Sequence, residues 1–366
     1  MIEEASMQEA VAVRQPNLKD FGYDALREKF QEEGWSAYRA DQVLRWIYAR
    51  GVSDVRSMTD LPVEVRDRLI REWEMDALSL KAVQKSQDGT RKLALRTRDG
   101  STIEAVMIPE ERRNTLCVST QVGCPLACSF CATGAMGLTR NLRASEIVEQ
   151  VLIARSVLDP DETLTNVVYM GMGEPLLNWS AVAESIRILT HPKTMAMAPR
   201  RLTVSTSGIV PRIRALLELA PVNLAISLHA TTDAVRDILV PLNRRFPLAT
   251  LLGTLKSEPL IGRRRPVFFE YTLMEGINDS IADARRLPSL LQGIPCKLNV
   301  IPMNPHADAP QRPPDRVVCD AFMAELHRAG LRVTLRRNRG ADIDAACGQL
   351  AAREATERRS GLGGSS

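Results

Sequence analysis

Two periodicities divide the chain. Between residues 20 and 78 apolar positions recur at helical spacing. "YRADQVLRWIYARG" puts Val43, Leu44, Ile47 and Tyr48 on one face, and Gly51 follows as a stop. "DLPVEVRDRLIREW" predicts another helix, with Asp60 as its cap and Pro62 in its first turn. From about residue 90 the period falls to two. "TRKLALRT", bounded by Asp88-Gly89 and Asp99-Gly100, and "STIEAVMIP" predict the two strands of a hairpin. From 115 to 338 the strand-like runs "TLCVSTQV", "NVVYMGM", "RLTVSTS", "NLAISLH", "VFFEYTLM" and "KLNVIPM" are mostly separated by helical stretches such as "RASEIVEQVLIARSVL". Alternating strands and helices imply parallel βα units, and six of them predict an open, partial (β/α)6 barrel. A last strand, "RVTLRRN", follows the helix "DAFMAELHRAG". The predicted organisation is a helical accessory domain over 1–80, a β-hairpin extension over 81–110, the barrel over 111–350, and a polar, glycine-rich, disordered tail over 351–366.

The strands end in unusual polar or glycine turns: "GCPLAC", "GMGEP", "STSG", "SLHA", "GINDS" and "NPH". Loops at strand C-termini build the active sites of (β/α) barrels, so chemistry is expected there. At 366 residues, 45% hydrophobic and 25% charged, the chain has an ordinary globular composition. Its length exceeds the roughly 250–300 residues at which one core stops growing. No signal-peptide pattern opens it and no run of eighteen apolar residues spans a membrane, so a cytoplasmic protein is expected. No apolar stripe asks for a partner subunit, and a monomer is expected. The net charge of +4 permits an acidic partner such as RNA without demanding one.

Seven cysteines in an uneven distribution do not suit a disulfide framework. Cys124, Cys128 and Cys131 in "GCPLACSFCATG" have CxxxCxxC spacing. Three thiolates on one loop can hold three irons of a cubane, leaving the fourth open to a small ligand. Zinc is the rival, but it normally wants four ligands, and no second pair or nearby histidine is present in the chain. Three unrelated buried cysteines are the plain alternative.

This loop resembles the cluster loop of radical S-adenosylmethionine (SAM) enzymes. The resemblance implies a 4Fe-4S cluster whose open iron is chelated by SAM, and reductive cleavage of SAM to a 5′-deoxyadenosyl radical. Other strand ends then acquire candidate cofactor roles: Gly173 and Glu174 in "GMGEP", with Glu174 receiving the SAM ammonium; Ser205 in "STSG"; Ser227, Leu228 and His229 in "SLHA"; and Asn304 in "PMNP". Each alone has a plain alternative as a turn or helix cap; their joint placement carries the reading.

"LCVSTQVGCPLACSFCATG", "GMGEPLLN", "SLHATTDAVRDILVPLNRRFPL", "FEYTLMEGINDS", "IPMNPH" and "RGADIDAACGQL" resemble the dual-specificity adenine-C2 RNA methyltransferases, the RlmN type. The likeness runs from about residue 35 to 350. It implies that Cys347 carries a methyl group. Carbon 2 of adenine is electron-poor and cannot attack a sulfonium methyl; a thiolate can. One SAM would methylate Cys347. A second would supply the radical that takes hydrogen from the S-methyl group, whose carbon then adds to the base. Cys117 is implied as the resolving thiol, through a transient disulfide with Cys347. Glu104 is implied as proton acceptor, with Cys117 a possible sharer. The plain alternatives are an outward side chain on an edge strand for Glu104 and a small core hydrophobe for Cys117. Cys296 and Cys319 match no motif and are taken as packing residues.

The resemblance further implies an adenine in the peptidyl-transferase region of 23S rRNA and one in the tRNA anticodon loop as substrates, and a flavodoxin- or ferredoxin-type one-electron donor. Arg200-Arg201, Arg244-Arg245, Arg263 to Arg265, and Arg336, Arg337 and Arg339 are candidate phosphate contacts, or solvated loops. The N-terminal helices are the expected RNA-docking element. Three rivals stand beside this reading: a sister activity at carbon 8, a glycyl-radical activase, and a non-catalytic iron–sulfur RNA-binding protein.

Overall fold

The structure, a computed structural model, describes residues 15–306, 309–336 and 338–351. Residues 1–14 and the expected tail from 352 onward lie outside that range.

The strands are β1 (Leu78–Lys85), β2 (Arg91–Thr97), β3 (Thr102–Glu110), β4 (Arg113–Cys117), β5 (Gln121–Gly123), β6 (Leu138–Asn141), β7 (Leu164–Tyr169), β8 (Leu202–Thr206), β9 (Asn223–Ser227), β10 (Val267–Leu273), β11 (Cys296–Pro302) and β12 (Val333–Leu335). All but β5 and β6 form one sheet, ordered β1-β2-β3-β4-β7-β8-β9-β10-β11-β12. The run β4-β7-β8-β9-β10-β11 is parallel throughout, as the six βα units predict, and β12 adds a short parallel strand. Helices such as Ala144–Ser156, Trp179–Thr190 and Val210–Leu219 cover its outside. No described helix is long and apolar enough to cross a membrane.

The extension has three antiparallel strands rather than two. β1 escapes a period-two reading because a bulge between Leu80 and Ala82 shifts its alternation, and most of its side chains face outward. "TLCVSTQV" is likewise not one strand. β4 stops at Cys117, because polar groups then replace the ladder. Ser119 N–H donates to Gln150 Oε1 at 2.8 Å, and Ser119 Oγ donates to the Glu104 carbonyl at 2.6 Å. The chain re-forms as β5, which pairs with β6 and frames the cysteine loop. Gly123 makes that frame possible: it sits at φ +77°, and a Cβ there would lie 1.8 Å from the Gly137 carbonyl oxygen.

The N-terminal helices are Tyr23–Glu32, Ala37–Leu44 (extended by a wide turn to Ala49) and Val63–Glu72. Val43, Leu44, Ile47 and Tyr48 are buried as their spacing predicts. The predicted Asp60 cap is not formed. Its Oδ1 accepts the Trp46 indole N–H at 2.5 Å, and Pro62 holds the cap position without a side-chain bond. The helical unit docks on the barrel through charge. Asp20 pairs with Arg143 at 3.0 Å and accepts from Ser145 N–H. Lys19, almost wholly buried, forms an ion pair with Glu149, whose carboxyl burial still holds above its ordinary value.

Removing one member of a buried pair leaves the other uncompensated, at a cost of about 3–5 kcal/mol. Lys19→Met is expected to lose about that much stability in urea unfolding, and adding Glu149→Gln is expected to recover most of it. Equal losses in the single and double variants would show that the pair does not join the two units.

Candidate active site

The strand C-termini surround an open cavity of about 960 Å³, its mouth included. Cys124, Cys128 and Cys131 form one side of it, and Gly173, Glu174, Ser205, Ser227 and His229 line the rest. A smaller cavity of about 710 Å³ adjoins it and takes Cys117 and Asn304 into its wall. Cys131, Arg336 and Cys347 belong to both. The C-terminal thiol therefore meets the cysteine loop from more than two hundred positions away.

The cysteine loop is held by its own backbone. Cys124 N–H donates to Gly137 O at 2.8 Å and Cys131 N–H to Cys128 O at 3.1 Å, and Ala127 turns the chain at φ 50°. A Cβ at Gly134 would come within 3.0 Å of the Cys128 backbone, so glycine lets the short helix Ala132–Ala135 pack on the loop. Burial pushes all three thiols up, Cys124 to about 12, and Cys128 is raised further by the charges of Cys131 and Cys124. Among the described residues, no three Cys, His, Asp or Glu side chains converge on a point fit for one ion. A single zinc would draw its sulfurs to about 2.3 Å. Three thiols on one loop suit three irons of a cubane, once their protons are displaced.

Opposite the cysteines, the Glu174 carboxylate is buried. Oε1 accepts Leu176 N–H at 3.1 Å and Oε2 accepts Ser207 N–H at 2.8 Å, yet burial raises its carboxyl above the usual range. A buried acid of that kind gains from a cationic partner such as the SAM ammonium. Gly173, at φ +100°, packs so tightly that a Cβ would meet Gln121 Cβ at 2.6 Å; Gln121 Oε1 in turn accepts Glu174 N–H at 2.8 Å.

His229 Nδ1 accepts Thr272 N–H at 3.0 Å, which leaves Nε2 to carry the proton of the neutral ring as a donor. Burial, with the Arg236 charge beside it, holds its pKa down to about 3. Histidine is distant from the cysteines in the chain but not in space. The His229 ring packs edge-on to Phe130 at 4.8 Å, and His306 Nε2 lies 3.0 Å from the Phe130 carbonyl oxygen. Leu228 does not line the cavity: its side chain is in the core, and its carbonyl accepts Arg236 Nε–H at 3.0 Å. Asn304 faces the smaller cavity, where Nδ2 donates to the Cys347 carbonyl at 3.0 Å while its buried Oδ1 has no partner among the described residues.

The segment bearing Cys347 is strapped to the cysteine loop. Ala132 N–H donates to Gly348 O at 2.8 Å and Thr133 Oγ to Leu350 O at 2.6 Å. Cys347 is exposed, but what it is exposed to is the cavity, and the protein around it raises its thiol pKa. The Arg336 guanidinium opposes that rise, and Glu270 adds to it. Cys117, at the end of β4, is pushed up to about 12 by burial and next by the Cys347 charge. Both thiols are free. Glu104 is neither outward nor on an edge. β3 lies between β2 and β4, and the side chain is buried in a third pocket, paired with Lys92 at 3.3 Å and accepting Ala351 N–H at 3.0 Å. Cys319 is buried and Cys296 packs against the core, as taken from the sequence.

Three arginines read as phosphate contacts have other partners, Arg339 among them, 3.9 Å from Asp88. Arg265 donates to the carbonyls of Leu217, Ala220 and Val222 at 2.7–3.1 Å, and Arg336 faces Glu270 at 3.8 Å. Arg200, Arg201, Arg244, Arg245, Arg263 and Arg264 remain exposed, and Arg337 lies outside the described residues. Sequence reasoning missed Arg236. It is 1% exposed and ties the strand ends by donating to Ser207 O, Ser227 O and Leu228 O at 2.7–3.0 Å. An arginine in a surface-like helix gave no sign of this.

The barrel and its cysteine loop define a class. The family model of the Radical SAM superfamily matches residues 118–287, and this is a radical SAM enzyme, which implies SAM and a 4Fe-4S cluster. The Ribosomal RNA large subunit methyltransferase N-terminal domain matches residues 16–75. A dual-specificity RNA methyltransferase RlmN from Geobacter sulfurreducens is 44% identical over 95% of both chains, and another from Desulfotalea psychrophila is 45% identical over 96% of this chain and 100% of its own. A crystal structure of a radical SAM methyltransferase from Sphaerobacter thermophilus matches with a TM-score of 0.88 at 44% identity, over 92% of this chain and 100% of that one. The chain belongs to the family of dual-specificity RNA methyltransferases RlmN.

His229 gives a pH signature. Its folded pKa is depressed below the unfolded value, so the stability it contributes is full above the unfolded pKa near 6.5 and is lost as pH falls toward about 3. Between pH 7 and pH 4.5 the wild type is expected to lose on the order of 2–3 kcal/mol that His229→Gln does not lose. Urea unfolding of both proteins across that range measures the difference; parallel curves would show that the ring is not held neutral.

Proposed function

We propose that this chain methylates carbon 2 of adenine in the peptidyl-transferase region of 23S rRNA and in the tRNA anticodon loop, with Cys347 as methyl carrier and Cys117 as resolving thiol. The observation that carries the reading is the common cavity of Cys347, Cys117 and the cluster-loop residue Cys131.

Cys124, Cys128 and Cys131 would hold the cluster, and Glu174, with Gly173, Ser205, Ser227 and the His229 Nε2–H, would hold SAM. When bound, the cluster and two successive SAM molecules supply the methyl group and the one-electron chemistry that activates it. The two remaining thiols divide the work by environment. Cys347 opens onto the cavity, where a methyl donor can reach it, and Arg336 offsets part of the rise that burial imposes on its thiol, so it is assigned as the nucleophile that takes the methyl group. Cys117 is kept protonated by burial and does not compete for it. Once the adenine is joined to Cys347, Cys117 closes on that sulfur as product leaves, and the resulting disulfide must be reduced before the next turnover.

Glu104 is assigned the carbon-2 proton; Cys117 shares the task only as a thiolate, after its own proton has left. The carboxylate lies behind the strap rather than in the thiol cavity, so taking the proton requires the strap to shift. A splayed adenine is the natural substrate, because a stacked base cannot reach a walled cavity. The exposed arginines and the N-terminal helices offer the docking surface for its RNA. The reading also places the protein in the cytoplasm as a monomer, reduced by a flavodoxin- or ferredoxin-type donor.

Peptide mass spectrometry of protein supplied with SAM is expected to show one added methyl group on Cys347. Cys347→Ala is expected to keep its iron and lose RNA methylation to below detection. Cys117→Ala is expected to accumulate protein cross-linked to RNA. Undiminished methylation by Cys347→Ala, or methyl groups found at carbon 8 in the product, would overturn the assignment.

A further inference from the structure

Neither family model reaches residues 76–117, which contain β1, β2, β3 and β4. Their distal turn ends beside the segment that carries Cys347. Ser86 Oγ donates to Asp342 Oδ1 at 2.5 Å, and Gln87 N–H donates to Asp342 Oδ2 at 3.2 Å. Lys92 Nζ likewise donates to Asp344 O at 3.4 Å, and in the reverse direction Gly340 N–H donates to Asp88 Oδ2 at 3.1 Å. Arg339 lies 3.9 Å from the same Asp88 carboxylate. The contact is also steric. Gly340 sits at φ +64°, and a Cβ there would lie 2.8 Å from Thr90 Cγ2 and 2.9 Å from Ala345 Cβ.

These bonds fix the stretch 340–344, upstream of Cys347. Downstream, Gly348 and Leu350 are tied to the cysteine loop. The thiol is thus suspended between two anchorages on different parts of the sheet. Between them the segment has only short turns of its own, at Ala341–Ile343 and from Ala346 to Gln349, and Asn304 holds the Cys347 carbonyl, so the upstream bonds to the hairpin turn govern how 340–344 is seated. Backbone amides at Gly340 and Gln87 are paired with side chains of the opposite partner, so each side completes the other's hydrogen bonding.

We propose that the β1–β2 turn, through Ser86, Asp88 and Lys92, is the upstream clamp that positions the Cys347 segment over the thiol cavity. Ser86 and Asp88 are positioning residues that act through Asp342 and the Gly340 amide, and Lys92, which also pairs with Glu104, adds a bond to the Asp344 carbonyl. The inference rests on Cys347 as carrier for its consequence in turnover, but the clamp itself can be tested without RNA or SAM.

Hydrogen exchange of full-length protein reads the clamp directly. Losing one such bond changes an opening equilibrium on the order of 10-fold. Ser86→Ala and Asp342→Ala are each expected to speed exchange over 340–347 about 10-fold, with exchange in the sheet unchanged. Because the two side chains meet, the double variant is expected to show no more than the larger single effect. Gly340→Ala, which attacks the seat sterically, is expected to speed the same peptide. Unchanged exchange in Ser86→Ala and Gly340→Ala, or strictly multiplicative effects in the double variant, would overturn the clamp. In RNA methylation Ser86→Ala is expected to lower kcat several-fold with KM for RNA unchanged. Faster exchange with unaltered kcat would overturn the positioning role. A wild-type protein that methylates no adenine would instead overturn the carrier reading and leave the exchange result standing.

Discussion

The site depends on one seam, where the last described residues of the chain lie against the cysteine loop. Ala132 N–H to Gly348 O and Thr133 Oγ to Leu350 O are two ordinary hydrogen bonds. Without them Cys347 would be held only through its Asn304 bond and the upstream contacts of 340–344, with no direct tie to the loop of Cys131. With them, a nucleophilic sulfur and a cluster-loop cysteine share a cavity wall. Effective concentration does the rest, because reactants held in fixed relation avoid the entropy of encounter. A parallel sheet suits this task. Its strand ends present six loops on one face, and the carrier has only to be laid across that face.

Burial sets the chemistry of the groups around the seam, and a few charges correct it. Desolvation raises every thiol in the site and the carboxyls of Glu174 and Glu270, and it lowers His229. Arg336 offsets it at Cys347 and Arg236 at Cys128, whereas at His229 the Arg236 charge adds to the lowering. Arg236 itself tolerates burial because its donors meet four oxygens of the strand ends and Asn243. The same guanidinium that stitches the strand termini therefore also sets the field at the cavity floor. Shape and electrostatics have one source there.

Local patterns made much of this legible. The six parallel strands, the covering helices and the stop at Gly51 follow from periods of two and 3.6 and from glycine. The cysteine loop was readable from spacing, and Cys347 from the resemblance of its segment. What stayed hidden needed contacts between distant positions. β1 concealed itself through a bulge. Asp60 had the chemistry of a cap, but the Trp46 indole claimed it. Arg265 and Arg336 looked like free cations because nothing in "GRRRP" or "RRNRG" shows the carbonyls and carboxylate that occupy them. Leu228 sat in a strand-end motif without its side chain facing the ligand, since alternate strand residues point to opposite faces. Nothing local could announce that Asp88, a plain hairpin residue, would meet Gly340.

The placement of Cys347 on irregular chain rather than on a strand fits the carrier role proposed for it. A carrier sulfur must first face a methyl donor on the cluster side and then a base entering from the RNA side. A strand residue is fixed by its ladder on both flanks and cannot re-aim without breaking the sheet. The segment 338–351 has no ladder; left-handed residues at Gly340, Asp344 and Gly348 give it sharp turns. Its restraints are side-chain and loop hydrogen bonds near its two ends, with Asn304 on the Cys347 carbonyl between them. Each is individually worth about 1 kcal/mol and can be exchanged without unfolding the core. The barrel supplies a rigid floor, and the carrier is held over it firmly enough to aim and loosely enough to turn.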